Sequence, residues 1–181
     1  PPLLVAGVPE QVLRSGPVPE NTVVVAVPVD LAGMVKDILG ALPATASVEV
    51  VLGTSPNELF WLNECRQVFA AFSSRIQFNY LNHLSFKDLR SHVARLPPRS
   101  VVFFGMLLVD GDGVPHDPSE ALRILCESAN APVFALNESY LGSGVVGGRL
   151  IAERAVGMQT ADIALRILGG EPVAAINVPH P

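Results

Sequence analysis

Positively charged residues are scarce in this 181-residue chain, which has only two lysines and a formal net charge of −5. The arginines are scattered along the sequence and form no basic stripe. Phosphate backbones are bound by clustered cations, so nucleic acid is not an expected partner. The surplus of acidic residues favours solubility and indicates nothing more specific.

Long apolar runs are also missing. The longest, Val101–Val109, has the length of a strand and is far shorter than the roughly 18 residues that a membrane-spanning helix needs. No charged segment followed by an apolar one opens the chain. We therefore expect either a cytosolic protein or one whose signal peptide precedes this numbering.

Cysteine is rare as well. Cys65 and Cys126 fall on apolar positions of predicted helices, and their spacing is not a CxxC. Such positions are typical of buried free thiols, although a disulfide stays open at this point.

Apolar residues, by contrast, make up 49% of the chain, enough for the core of one domain or of two small lobes. Short Val/Leu/Phe runs alternate with helical periods, which predicts an α/β fold with a parallel sheet covered on both faces. The predicted strands are Leu3–Val8, Thr22–Val27, Val48–Gly53, Arg75–Leu81, Ser100–Val109 and Pro132–Leu136. We also expect Val145-Val146 and Ala174–Val178 to form short strands.

Several helix starts are marked by capping residues. In Ser55-Pro56-Asn57-Glu58, a serine cap is followed by proline at the first helical position and glutamate at the third. Asp117-Pro118-Ser119-Glu120 repeats this arrangement. A last long helix is predicted from about Ile151 to Leu168, ending at Gly169-Gly170.

Four polar loops follow the central strands: Thr54–Asn57, Asn82–Ser85, Asp110–His116 and Asn137–Gly144. The carboxyl ends of parallel strands share one edge of a sheet, and ligands of open α/β sheets bind there. Trp61 and Tyr140 are predicted near the same edge, where aromatic rings suit a small organic ligand. Packing of Trp61 between helices is an equally good interpretation.

The run Asp110-Gly111-Asp112-Gly113-Val114 resembles the nucleophile loop of haloacid dehalogenase phosphatases, in which two aspartates act with Mg²⁺. That chemistry needs a later cation and a further acidic pair. No lysine follows Lys87, and no two acids are adjacent after Asp112. A glycine-containing turn is therefore the favoured interpretation, with a Mg²⁺-dependent phosphohydrolase as a minor alternative.

No metal or cofactor is predicted. The histidines at 83, 92, 116 and 180 lack metal-ligand spacing, and His92 lies near the apolar face of its helix. Gly142-Ser143-Gly144 with Gly147-Gly148 lacks the Lys-Ser/Thr ending of a phosphate-binding loop, so it indicates a hinge or a close backbone approach.

One stretch resembles a known family. The segment Ala131-Pro132-Val133-Phe134-Ala135-Leu136-Asn137-Glu138-Ser139-Tyr140-Leu141-Gly142-Ser143-Gly144-Val145-Val146-Gly147-Gly148 is similar to ABC-transporter substrate-binding-like sensor domains of bacterial hybrid sensor histidine kinases. Supporting segments are Val29–Gly33, Leu96–Val102, Asp110–Pro115 and Ala164–Pro172. The resemblance implies a type I periplasmic-binding fold, in which two Rossmann-like lobes enclose a ligand.

Two departures from this pattern limit what can be carried over. Asn137-Glu138 stands where relatives have an aromatic residue followed by aspartate, so ligand identity is not transferred. Only one lobe, 29–136, is complete, whereas 1–28 and 137–181 would be a remnant of the second lobe with the crossover segments. Roughly a hundred residues of a full module are missing, so we expect this chain to be part of a longer protein.

The resemblance implies a non-enzymatic, periplasmic ligand-sensing domain of a two-component receptor, attached to the membrane only through other parts of its parent. A solute-binding component of an ABC importer is the alternative. The predicted partner is a small molecule, and the exposed edge strand and apolar face indicate a homodimer. The predicted ligand-binding residues are Ser55, Asn57, Trp61, Asp110, Asp112, Glu138 and Tyr140.

Overall fold

A computed structural model describes residues 1–14 and 16–178, so His180 lies outside the described residues. In chain order the elements begin with β1 Leu3–Pro9, α1 Glu10–Leu13, β2 Thr22–Val27, α2 Leu31–Ala41, β3 Ser47–Leu52, α3 Pro56–Phe69 and β4 Gln77–Tyr80. They continue with α4 Phe86–Val93, β5 Ser100–Met106, α5 Pro118–Ser128, β6 Val133–Ala135 and α6 Glu153–Leu168. All six predicted principal strands are present, with ends that differ by at most three residues.

The chain divides into two compact units. The larger comprises 30–136 and 140–150, and the smaller comprises 1–29, 137–139 and the chain from 151 onward. Segment 140–150, which the sequence grouped with the second lobe, therefore lies with the larger unit.

The larger unit contains a parallel sheet of strand order β4-β3-β5-β6. Adjacent residues of β5 point to opposite faces. Phe103 packs edge-on against Phe69 of α3, with ring centroids 5.8 Å apart. Phe104 lies instead in a buried cluster with Leu89 of α4 and Leu122 of α5. The prediction of a sheet covered on both faces is confirmed.

The strand order reverses at β3. The chain passes from β3 outward to β4 and then returns to place β5 on the other side of β3. The loops after β3 and β5 therefore leave the sheet side by side and diverge. This arrangement is the topological switch point at which open α/β sheets bind their ligands.

The glycine-rich segment runs beside β6. The N–H of Val146 donates to the carbonyl of Val133, and the N–H of Ala135 donates to the carbonyl of Gly147. The predicted short strand at Val145-Val146 is not formed; instead, an isolated parallel bridge joins Gly147 to Phe134 of β6. A Cβ on Gly148 would collide with the carbonyl oxygen of Ala135, which confirms the predicted close backbone approach.

In the smaller unit, β1 and β2 form a two-stranded parallel sheet. Val23, Val25 and Val27 of β2 are buried with Val156 and Ile163 of α6. The predicted connection between the first two strands contains the short helix α1, which the sequence analysis did not anticipate.

The prediction of a final strand at Ala174–Val178 was wrong. Val173–Ala175 form a 3-10 helix that follows Pro172, closed by a hydrogen bond from the N–H of Ala175 to the carbonyl of Pro172. The proline fixes φ at −62° at the position before the helix, which favours a turn here.

Both cysteines are free thiols, Cys65 buried in α3 and Cys126 half-buried in α5. Burial raises the pKa of the Cys65 thiol to about 12, with a smaller contribution from the charge of Glu64. Among the described helices, none has the length and apolarity that crossing a bilayer requires.

Candidate functional site at the strand-end edge of the larger unit

The carboxylate of Glu58 links the two loops at the switch point. Its Oε1 accepts hydrogen bonds from the N–H groups of Gly53 at 3.0 Å and Leu108 at 2.6 Å. Its Oε2 accepts from Ser55 at 2.9 Å and Val109 at 3.3 Å. Glu58 is completely buried. One side chain therefore ties the loop after β3 to the loop after β5.

The local sequence explains how Glu58 reaches this position. Ser55 caps α3, and its hydroxyl accepts from the N–H of Glu58 at 3.4 Å, completing the predicted capping box. Glycine is required at position 53, because a Cβ there would collide with the Glu58 carboxylate and with the carbonyl of Val109. The sequence predicted the cap but not the bonds to Leu108 and Val109, which join residues fifty positions apart.

Asp110 organises the loop after β5. Its Oδ1 accepts from the N–H groups of Asp112 at 3.0 Å and Val114 at 2.9 Å. Its Oδ2 accepts from the N–H of Phe86, the first residue of α4, at 2.9 Å and lies 3.1 Å from Nε2 of His116. The side chain is buried. Both oxygens are thus occupied by the protein itself.

These bonds determine the charge of Asp110. Burial raises the pKa of the carboxyl, but the hydrogen bonds outweigh this effect and hold the pKa at about 2. The N–H of Phe86 contributes most, followed by the side chain of His116 and then the loop N–H groups. Asp110 is therefore a carboxylate at neutral pH.

The loop itself is internally satisfied. Beyond the bonds to Glu58 and Asp110, the N–H of Asp110 donates to the carbonyl of Val114, and that of Gly111 donates to the carbonyl of Leu84. The N–H of Gly113, a residue with a φ of +81°, donates to the carbonyl of Asp110. The favoured interpretation of this run as a glycine-containing turn is confirmed.

Four of the seven predicted ligand residues reach the surface, in the loops of this edge and in the first two turns of α3. Asn57 and Asp112 are exposed, and Ser55 is half-buried. Trp61 is also half-buried and packs edge-on against Phe60, with ring centroids 5.4 Å apart.

The structure places the other three predicted residues differently. Asp110 faces inward, as described above. Tyr140 is 95% buried and packs edge-on against Phe104 at 5.6 Å, so its ring belongs to the core of the larger unit. Glu138 belongs to the smaller unit, where its carboxylate accepts from the N–H of Arg154 in the first turn of α6 at 2.6 Å. For all three residues, ligand contact stays a prediction.

The geometry does not favour the phosphohydrolase alternative. A nucleophilic aspartate must present a free oxygen to its substrate, whereas both oxygens of Asp110 accept hydrogen bonds from within the protein. Asp112 is exposed while Asp110 is buried. Within residues 1–14 and 16–178, no three His, Cys, Asp or Glu side chains are grouped to hold a metal ion.

A separate surface cavity of about 580 Å³ is lined by the last turn of α3, by the connection that follows it and by β4. The guanidinium of Arg66 lies 5.1 Å from the ring centroid of Tyr80 on its wall. Burial raises the pKa of the Tyr80 hydroxyl. None of the seven predicted ligand residues lines this cavity.

The chain matches no family model and no curated protein by sequence. Solved structures are similar to it. A conserved domain protein from Vibrio cholerae O1 biovar El Tor aligns with a TM-score of 0.61 and 21% identity, over 89% of this chain and 53% of that one. The ABC domain from Streptococcus pneumoniae in complex with L-Trp aligns with a TM-score of 0.65 and 14% identity, over 99% of this chain and 62% of that one.

A third similar structure is the ligand-free, open form of a substrate-binding protein with adhesive properties from Clostridium difficile. It aligns with a TM-score of 0.68 and 18% identity, over 99% of this chain and 61% of that one. The chain thus spans between 53% and 62% of the length of these proteins. Together with the parallel α/β architecture, these alignments show that the chain has the fold of periplasmic-type substrate-binding proteins.

Proposed function

We propose that this chain is the small-ligand-binding part of an extracytoplasmic sensor, belonging to a two-component receptor, and that it is not itself an enzyme. The observation that carries the ligand-binding role is the switch-point edge of the larger unit. There, Glu58 ties two strand-end loops into a defined surface that carries Asn57 and Asp112. Structures with the same fold include a domain described in complex with L-Trp.

The proposed ligand contacts on this edge are Ser55, Asn57, Trp61 and Asp112. Trp61 would provide apolar surface, and the three polar side chains would orient the ligand. Asp110 and Tyr140 support the same edge from beneath, since their side chains are buried. Glu138, in the smaller unit, remains a proposed contact in its own right.

A solute-binding component of an ABC importer is a second candidate. The structural neighbour described as a substrate-binding protein favours it as much as the sensor role. The sensor role and the carrier role can be distinguished in cells that carry the full parent gene. Disruption of a sensor abolishes ligand-dependent transcription and leaves uptake of labelled ligand intact, whereas disruption of a carrier abolishes uptake.

We propose in addition that the chain forms a homodimer through α6. Val156 and Ile163 of this helix are buried, whereas Met158, Leu165 and Leu168 are exposed by 65%, 69% and 83%. The exposed three lie at i, i+7 and i+10, a stripe on the opposite face of the helix from the buried pair. An apolar stripe of this kind supports self-association.

Ligand binding is tested by thermal shift over amino acids, sugars, nucleosides, amines and aromatic acids. A ligand at a hundred times its dissociation constant stabilises the chain by about 2.7 kcal/mol. Asn57→Ala and Trp61→Ala should each weaken the affinity about tenfold, in line with the loss of one good contact. Asn63→Ala, an exposed position on the same helix, should not. The absence of a shift from every compound with the full parent domain would contradict the proposal.

A further inference from the structure

We propose that the switch-point edge of the larger unit takes a ligand group that donates hydrogen bonds, such as an ammonium, an amide N–H or a hydroxyl, and is closed to carboxylates and phosphates. This inference rests on the proposed ligand-binding function and specifies the ligand class. Its basis is that Glu58 already fills the position at which such a sheet would receive an anion.

Anions bind to α/β sheets where a strand leads into a helix, because backbone N–H groups and the helix dipole converge there. In this chain that position follows β3, at the start of α3. The carboxylate of Glu58 occupies this position and accepts hydrogen bonds of 2.6 to 3.3 Å from N–H groups of both switch-point loops. A ligand carboxylate would have to displace one that is covalently tethered and completely buried.

The central backbone donors of the loop after β5, from Leu108 to His116, are already used. Each N–H from Leu108 to Val114 donates to an acceptor within the protein: two to Glu58, two to the Asp110 side chain and three to backbone carbonyls. Residue 115 is a proline and has no N–H, and the N–H of His116 donates to the carbonyl of Leu108.

The side chains at this edge also disfavour an anionic ligand group. The hydroxyl of Thr54 donates to the carbonyl of Asp110 at 2.9 Å. The loops 53–57, 81–85 and 107–117 contain no lysine or arginine, and their two histidines are His83, which is exposed, and His116, whose Nε2 lies 3.1 Å from the Asp110 carboxylate. The exposed side chain of Asp112 adds an acidic group to this edge. An anion at this edge would therefore meet the acidic side chain of Asp112 with no lysine or arginine to neutralise it, whereas a donor would find Asp112 as a partner.

The role of Glu58 can be tested by chemical rescue. Glu58→Ala removes the carboxylate and leaves four N–H groups around the vacated position. We expect sodium acetate, compared with sodium chloride at equal ionic strength and pH 8, to raise the thermal midpoint of Glu58→Ala by about 3 °C and to leave the wild type unchanged. Glu64→Ala, on the same helix, is the control and should not respond to acetate. An equal acetate shift in wild type and Glu58→Ala, or no acetate effect on Glu58→Ala, overturns the inference.

A second variant decides the question if Glu58→Ala does not fold. Glu58→Gln keeps the shape of the side chain but turns one acceptor into an NH₂ group facing backbone N–H donors. Urea unfolding should show a clear loss of stability relative to Glu64→Gln. Equal stability of the two variants would mean that the carboxylate is not needed at this position, and would overturn the inference.

The ligand class is tested on the wild type with two compounds that share an indole scaffold, the amine tryptamine and the carboxylate indole-3-propionate. For every other compound that stabilises the chain, the corresponding amine and carboxylate are compared in the same way. We expect the amine to bind at least about tenfold more tightly than the carboxylate, the difference that one unpaired charged contact makes. Carboxylates that bind as tightly as amines would overturn the inference. If no compound binds at all, the proposed function fails, while the acetate experiment still decides the role of Glu58.

Discussion

The larger unit buries three carboxylates, those of Glu49, Glu58 and Asp110. A buried charge is costly unless hydrogen bonds compensate it, and each of these three is compensated differently. Glu58 accepts backbone N–H bonds, and Asp110 accepts three of these and lies beside His116. Glu49, on β3, accepts from the side-chain amide of Asn79 at 2.8 Å and lies 3.2 Å from Nε2 of His92. At the residue scale, these acids hold loops and strands in place.

The depressed pKa of Asp110 predicts a specific dependence of stability on pH. Its pKa is about 2 in the folded chain, against an ordinary value of 3.8. The unfolded chain therefore binds this proton first as the pH falls, so the contribution to stability is complete above about pH 4 and is lost toward pH 2. Its size is about 2 kcal/mol.

Urea unfolding between pH 2 and pH 7 measures this contribution. Asp110→Asn should be less stable than the wild type by about 1–3 kcal/mol at pH 7, because an amide nitrogen would face an N–H donor. The difference in unfolding free energy between the two should shrink toward zero, by up to about 2 kcal/mol, as the pH approaches 2. Asp117→Asn, which keeps a capping side chain at the start of α5, is the control and should follow the wild type. A gap that does not change with pH would contradict the prediction.

At the scale of elements, Gly147 and Gly148 make a matched pair beside β6. Both have a positive φ, 158° and 159°, in the range that L side chains rarely adopt, so Gly→Ala introduces a similar backbone strain at the two sites. A Cβ on Gly148 would collide with the carbonyl of Ala135, whereas a Cβ on Gly147 would have no atom within 4 Å among those described.

Gly148→Ala should therefore lower the free energy of unfolding by about 2 kcal/mol or more beyond the loss that Gly147→Ala causes through backbone strain alone. Chemical denaturation followed by Trp61 fluorescence measures both variants, since Trp61 is the single tryptophan and lies in the larger unit. Equal effects of the two substitutions would show that the close approach to β6 is not what restricts position 148.

The exposed stripe on α6 gives a second prediction at this scale. Leu165→Glu introduces a charge in the middle of the stripe and should weaken self-association at least about tenfold. Leu165→Met, which keeps the stripe apolar at the same position, is the control and should not. Sedimentation equilibrium measures the dimerisation constant of each variant. A wild-type chain that stays monomeric up to hundreds of micromolar would refute the proposed α6 dimer.

At the scale of the whole molecule, the two units differ in how much structure supports them. The sheet of the larger unit has four strands and is covered on both faces, and all but the first residue of β3 are buried. The smaller unit has a two-stranded sheet in which no residue of β1 is fully buried. Two-stranded sheets have little stability of their own, and their amides open more readily.

Hydrogen exchange followed by mass spectrometry should therefore show faster exchange in peptides from β1 and β2 than in peptides from β3 and β5. A ligand that binds the switch-point edge should slow exchange in loops 53–57 and 107–117. If β1 were protected as well as β3, the smaller unit would be as stable as the larger one, and the prediction would be wrong.

The sequence by itself determined the α/β architecture, because apolar runs of strand length, amphipathic helices and capping residues such as Ser55 and Asp117 are local patterns. Each depends on residues a few positions apart, and both caps are present. The loop Asp110–His116 was also recognised as a turn, since glycine and aspartate determine such turns locally.

Only the tertiary structure decided what the polar side chains at the edge do. Glu58 contacts residues 108 and 109, and Asp110 contacts residue 86, and no local pattern predicts contacts across such separations. Sequence placed Asp110 and Tyr140 at a ligand surface, whereas long-range packing buries both. The reason is physical: a carboxylate or a tyrosine serves a ligand or a core equally well, and the donors and rings that come to lie around it after folding determine which.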